Sequence, residues 1–204
     1  VRTFAERENG DLLITTFDGQ VLAVENDRPT VLPTPPGESG QGYLGTVDET
    51  GLWWLAQRRF VGFWNGQRWV QVHDPSPSVG RSAVACGSAR GGGVWILLSK
   101  ELLRFRGGSE VSRLSLPQLR GGIWSMTEDR RTNLWICSYD SGLFQVTSGG
   151  DLHHWTTTNG LGTRLTRVAF KDREQNLWSG SSGDGLRQLT RQRFFTMGSV
   201  RAGL

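Results

Sequence analysis

Residues 123–155 read IWSMTEDRRTNLWICSYDSGLFQVTSGGDLHHW, and this stretch decides the fold. Ile123 to Met126 alternates large and small residues, and Glu128-Asp129-Arg130 opens a polar turn. Leu134 to Cys137 is a short apolar strand, Tyr139 to Gly142 turns the chain, and Leu143 to Val146 runs back. Ser148 to Asp151 turns it again before Leu152 to Trp155. Four short strands joined by tight turns make an antiparallel meander. The strands are apolar on both faces, so such a sheet has to be sandwiched between neighbours.

The same phrase recurs along the whole chain. Its second strand is anchored at Leu13, Trp53, Trp95, Trp135 and Trp178, in steps of 40, 42, 40 and 43 residues. Third strands are expected to begin at Val21, Phe60, Leu102, Leu143 and Leu186. First strands fall near residues 2–5, 44–47, 83–86, 123–126 and 166–170, and fourth strands near 30–32, 69–72, 111–114, 152–155 and 194–196. A period in the low forties made only of short strands is the mark of propeller blades. The sequence therefore predicts an all-β chain, a β-propeller of five four-stranded blades of about 41 residues. The blades span residues 1–41, 42–81, 82–120, 121–162 and 163–204, with no composition break to mark a second domain. Five blades can close a ring by themselves. A segment of a larger, seven-bladed propeller is the favoured reading, because Ala202-Gly203-Leu204 repeats the Asn159-Gly160-Leu161 phrase that introduces a blade.

Composition narrows the function. Nine tryptophans in a chain that is 36% hydrophobic mean that a few large rings carry much of the burial. The net charge is +4, yet the arginines are scattered and only Lys100 and Lys171 are lysines, so a nucleic-acid partner is not expected. Cys86 and Cys137 lie in apolar strand phrases without metal-ligand spacing and read as free thiols. His153 and His154 occupy adjacent strand positions and point to opposite faces, which is poor for joint metal ligation. No serine elbow, phosphate loop or acid/base set stands out, so neither catalytic residues, a cofactor nor a metal is expected. The longest apolar run, Val94 to Leu98, is too short for a membrane span.

Function on such a scaffold belongs to its loops. The loops between second and third strands carry Phe17-Asp18, Arg58-Arg59, Ser99-Lys100, Tyr139-Asp140 and Ser182 to Asp184. Blade-to-blade loops add Tyr43, Arg81, Arg120 and Arg164, and both sets lie toward one rim. Tyr43, Arg58, Arg59, Arg81, Arg120, Tyr139, Asp140, Arg164 and Asp184 are accordingly the candidate ligand-binding residues. Aromatic faces beside arginine and aspartate suit a saccharide, held by stacking and bidentate hydrogen bonds.

Asn133-Leu134-Trp135-Ile136 with Asp140-Ser141-Gly142-Leu143-Phe144, and Asn176-Leu177-Trp178 with Gly183-Asp184-Gly185-Leu186-Arg187, resemble the two-component regulator propeller repeat. Glu128-Asp129-Arg130 and Thr158-Asn159-Gly160-Leu161 fit the same pattern, and all five repeats can be laid on it. The resemblance implies a non-catalytic sensor propeller from the extracytoplasmic, periplasmic part of a bacterial hybrid sensor histidine kinase. The kinase and membrane span would lie outside these residues. It further implies an oligosaccharide or similar polar ligand, with further blades or a second protomer as partners. A protein-interaction or dimerisation scaffold without a small ligand is the competing expectation.

Overall fold

Each repeat forms one antiparallel meander. The computed structural model describes residues 1–36, 42–75, 83–172, 174, 176–183 and 185–189. The first blade is β1 (Thr3–Glu6), β2 (Leu12–Thr15), β3 (Val21–Glu25) and β4 (Arg28–Val31). The second is β5 (Leu44–Val47), β6 (Trp53–Gln57), β7 (Phe60–Trp64) and β8 (Trp69–His73). The third is β9 (Ala83–Ser88), β10 (Val94–Leu98), β11 (Glu101–Arg106) and β12 (Ser109–Ser115). The fourth is β13 (Ile123–Glu128), β14 (Leu134–Ser138), β15 (Gly142–Val146) and β16 (Leu152–Trp155). The fifth shows β17 (Thr166–Lys171), β18 (Leu177–Ser181) and β19 (Leu186–Gln188); its expected fourth strand, 194–196, lies outside the described residues. First strands β1, β5, β9, β13 and β17 are neighbours in that order, as the inner strands of a β-propeller. There is no helix among the described residues, and hence none long and apolar enough to cross a membrane.

Burial is distributed between blades rather than at one centre. Four apolar clusters occupy the four interfaces between successive sheets. Trp53, Leu55 and Phe60 of the second blade pack on Leu13, Val21 and Ala23 of the first. Trp54, on the opposite face of the same strand, packs with Ile96, Leu103 and Phe105 of the third. Neighbouring residues of a strand face opposite ways, so the Trp53-Trp54 pair serves two interfaces at once.

One turn recurs with the same hydrogen bonds. The residue opening the β1–β2 turn and its counterparts are Arg7, Asp48, Ala89, Asp129 and Asp172, and each N–H donates to the carbonyl four residues on. The fourth turn residue takes a left-handed conformation: Gly10, Gly51 and Gly92 have φ near +90°, and Thr132 has φ 61°. A type I turn followed by a left-handed residue is a standard hairpin loop, and glycine is the cheapest occupant of that last position. Asp48 Oδ2 accepts from Trp54 Nε1 at 3.0 Å, Asp129 Oδ2 from Trp135 Nε1 at 2.9 Å, and Asp172 Oδ2 from Trp178 Nε1 at 2.8 Å. The equivalent of Trp135 is therefore Trp54, not the anchor Trp53 taken from sequence. With this register the second strands begin at Leu12, Trp53, Val94, Leu134 and Leu177. In the third blade Ala89 stands where the clamping aspartate would be, and the buried Trp95 Nε1 has no hydrogen-bond partner.

Cys86 and Cys137 are free thiols, and burial pushes them up to about 12 and about 11. Scarce thiolate makes both poor nucleophiles at neutral pH.

Burial tends to raise the Asp129 carboxyl, but hydrogen bonds from Trp135, Asn133 and Arg131 outweigh it and hold the group below 3.8. Asp129→Ala should cost about 1–2 kcal/mol, since the site is half open to water. The stabilisation is complete above the unfolded carboxyl value near 3.8 and is lost as pH falls through the lower folded value. Denaturant titrations of the two proteins should therefore converge at acid pH. A gap that stays constant from neutral to strongly acid pH would show that the charge of Asp129 contributes nothing.

Candidate functional site

The turns that join first to second strands share one rim, where they are tied together. Arg7 Nε donates to the Gly51 carbonyl, Gly91 N–H to Glu49 and Arg90 N–H to Glu128, each across a blade boundary. On this side lies a cavity of about 520 Å³ touching every blade, lined among others by Phe4, Glu6, Ser88, Thr127 and Lys171. Its Glu49 and Glu128 already accept backbone N–H groups of the third blade, so they act as rim ties. None of the residues expected from sequence lines it.

The opposite rim carries the loops between second and third strands and the blade-to-blade connections. It has its own ties. Thr15 Oγ1 donates to the Tyr43 carbonyl, Thr166 Oγ1 approaches the Ser138 and Gly142 carbonyls, and Gly142 N–H donates to Arg164. Tyr43 precedes an inner strand as expected, but its ring is buried against Phe60 and its hydroxyl donates to the Pro35 carbonyl. Burial raises its phenol. Tyr43 thus packs the core of the first interface.

Arg58 and Arg59 are exposed in the turn before β7, where the Arg59 carbonyl accepts from Gln71. Arg120 reaches His154 Nδ1 at 3.3 Å, and His154 in turn stacks on Phe144 with ring centroids 4.3 Å apart. Arg164 is exposed. Arg81 and Asp184 lie outside the described residues.

The densest grouping joins the fourth and fifth blades. Tyr139 is 48% exposed and Trp124 is 49% exposed, and their rings meet edge to face at 6.4 Å. The Arg167 guanidinium of the next inner strand lies 4.6 Å from the centre of the Trp124 ring. Trp124 and Arg167 both reach this place through β-bulges. Pairing of β13 with β14 slips between Ile123 and Ser125, and pairing of β17 with β18 slips between Thr166 and Val168. A bulge frees its extra residue from the ladder and re-aims the side chain. Asp140 sits beside the platform with Oδ1 accepting from the Ser138 and Ser141 hydroxyls at 2.8 and 2.9 Å. Those two hydroxyls, Ser138 first, hold its carboxyl below the ordinary value. Sequence reasoning found Tyr139 and Asp140 but missed Trp124 and Arg167, which it assigned to regular strands.

No family model matches the sequence, and no curated protein does. Solved structures do resemble the fold. Streptogramin B lyase superposes with a TM-score of 0.71 at 14% identity over 86% of this chain and 60% of that one. The extracellular domain of a hybrid two-component system from B. thetaiotaomicron gives 0.71 at 16% identity, over 92% of this chain but only 26% of that one. A gluconolactonase from Xanthomonas campestris gives 0.62 at 14% identity, over 91% and 71%. Two are enzymes and one belongs to a sensor. The likeness is one of fold. The chain spans 60% of the lyase and about a quarter of the sensor domain.

A side chain at Gly122 would run into the Tyr139 ring. Gly122→Ala should therefore cost about 1–3 kcal/mol by overpacking. In a Tyr139→Ala background the same change should cost almost nothing, because the obstructing ring is gone. Equal costs in both backgrounds would mean that Tyr139 does not rest on Gly122.

Proposed function

We propose that this chain is the ligand-sensing, non-catalytic propeller of an extracytoplasmic receptor, and that it binds an oligosaccharide on the Trp124–Tyr139–Arg167 platform. The observation that carries this reading is the platform itself. Two large rings stay half exposed at right angles, with a guanidinium over one of them. A pyranose ring offers an apolar face for stacking and hydroxyls for charged donors, and the platform supplies both counterparts. The fold likeness to an extracellular sensor domain supports the receptor role. The test is calorimetric titration of the whole chain against a broad panel of oligosaccharides. Binding should be detectable for at least one class, and Trp124→Ala should weaken it tenfold or more, about 1.4 kcal/mol. No heat with any saccharide would end the oligosaccharide reading.

A second reading, an assembly scaffold, draws on the first blade. Phe4, Ile14, Leu22 and Val31 stand side by side across all four strands on the face turned away from the second blade. Phe4 is 70% and Val31 66% exposed. An apolar sheet face of this kind favours burial against another sheet. If it joins two protomers, light scattering after gel filtration should give a dimer that Phe4→Lys converts to monomer. A wild-type monomer at every concentration would dismiss the pairing.

A further inference from the structure

The saccharide platform lies beside exposed arginines. Arg120, Arg164 and Arg167 are exposed and belong to the connections and inner strands of the fourth and fifth blades, where the platform stands. Arg120 precedes β13, Arg164 precedes β17, and Arg167, within β17, lies over Trp124. The acid nearest the aromatic pair, Asp140, is turned onto the Ser138 and Ser141 hydroxyls and packs over Gly121. The opposite rim carries exposed arginines too, Arg90, Arg130 and Arg131 among them, beside its turn acids. There Arg7 pairs with Asp11 and Glu25, and Asp48, Asp129 and Asp172 are bound to indole and turn N–H groups.

We infer that the ligand of the platform is an anionic saccharide, one whose sugar ring carries a carboxylate. This rests on the saccharide reading above and adds the charge. Guanidinium groups match a planar carboxylate with paired N–H donors, which an ammonium cannot do, and all three cations around the platform are arginines. Stacking on Trp124 and Tyr139 would hold the ring, and the carboxylate would sit among Arg120, Arg164 and Arg167. The scattered arginines of the sequence are thus gathered by topology: residues 44 and 47 positions apart come to one rim because successive inner strands are neighbours.

The experiment compares matched probes on the whole chain. Oligomers of galacturonate, glucuronate and mannuronate are titrated beside the corresponding neutral oligomers of galactose, glucose and mannose, at low and at high salt. At least one acidic member should bind tenfold or more tighter than its neutral partner, with the advantage shrinking as salt is raised. Arg120→Gln with Arg164→Gln should erase that advantage and leave binding of the neutral oligomer within about twofold. Trp124→Ala should weaken both members of a pair, and circular dichroism of each variant checks its fold. A neutral oligomer binding as tightly as the acid overturns the anionic preference while leaving the saccharide platform standing. Binding of no acidic or neutral oligomer overturns both. A tighter acid whose advantage survives the double arginine substitution overturns the assignment to these arginines.

Discussion

Everything in this molecule depends on sheets that are apolar on both faces. A four-stranded meander with one covered face leaves the other in water, so a blade gains most of its stability from the blades beside it. Trp53 and Trp54 make the constraint visible within two residues. One ring is buried against the blade before and the other against the blade after. The same logic explains why the exposed apolar groups concentrate on the two end blades. Phe4 and Val31 mark the first, and Val168, Phe170 and Leu186 mark the fifth.

Packing alone would let sheets slide over one another, and the polar ties prevent it. The turn aspartates fix each forward tryptophan through its indole N–H, while Glu49, Glu128 and Thr166 reach across blade boundaries to backbone groups. A misplaced blade would leave the buried members of this set, such as Trp54 Nε1 and Thr166 Oγ1, unpaired, which costs more than the bonds contribute when made. The third blade shows how much departure is tolerated. Its Trp95 has lost the aspartate and keeps only packing and the Arg104 guanidinium, 5.4 Å from its ring centre.

The strands were legible because a period near forty and alternating apolar residues repeat the same instruction five times. All but one of the short phrases expected as strands appear, within a few residues, and the exception lies outside the described residues. The slip from Trp54 to Trp53 arose where two tryptophans are adjacent. Only the spacing of six from Asp48 separates them, and that spacing becomes meaningful once the hydrogen bond is seen. The rim was harder. Tyr43 follows a proline-rich connection and looks like a loop aromatic, yet burial against Phe60 claims its ring. Trp124 and Arg167 lie inside strand phrases, and nothing in a run of alternating residues marks which one a bulge will eject. One signal was present: laid out from the turn residues, the two occupy equivalent places in successive blades, five before Asp129 and five before Asp172. An aromatic and an arginine there are unlike the small residues expected on a crowded inner strand.

The bulged position also bears on how such a protein can change. Val84, Trp124 and Arg167 occupy it in three consecutive blades, as each first strand slips by one residue against its partner. A residue outside the ladder does not set register, so exchanging it leaves the strand pairing intact, although Val84 also packs against the core between the third and fourth blades. The scaffold therefore offers exposed side chains, Trp124 and Arg167, whose replacement leaves the ladders unchanged. Lineages could vary the chemistry of this rim by single substitutions there, with the folding instructions of every blade inherited intact.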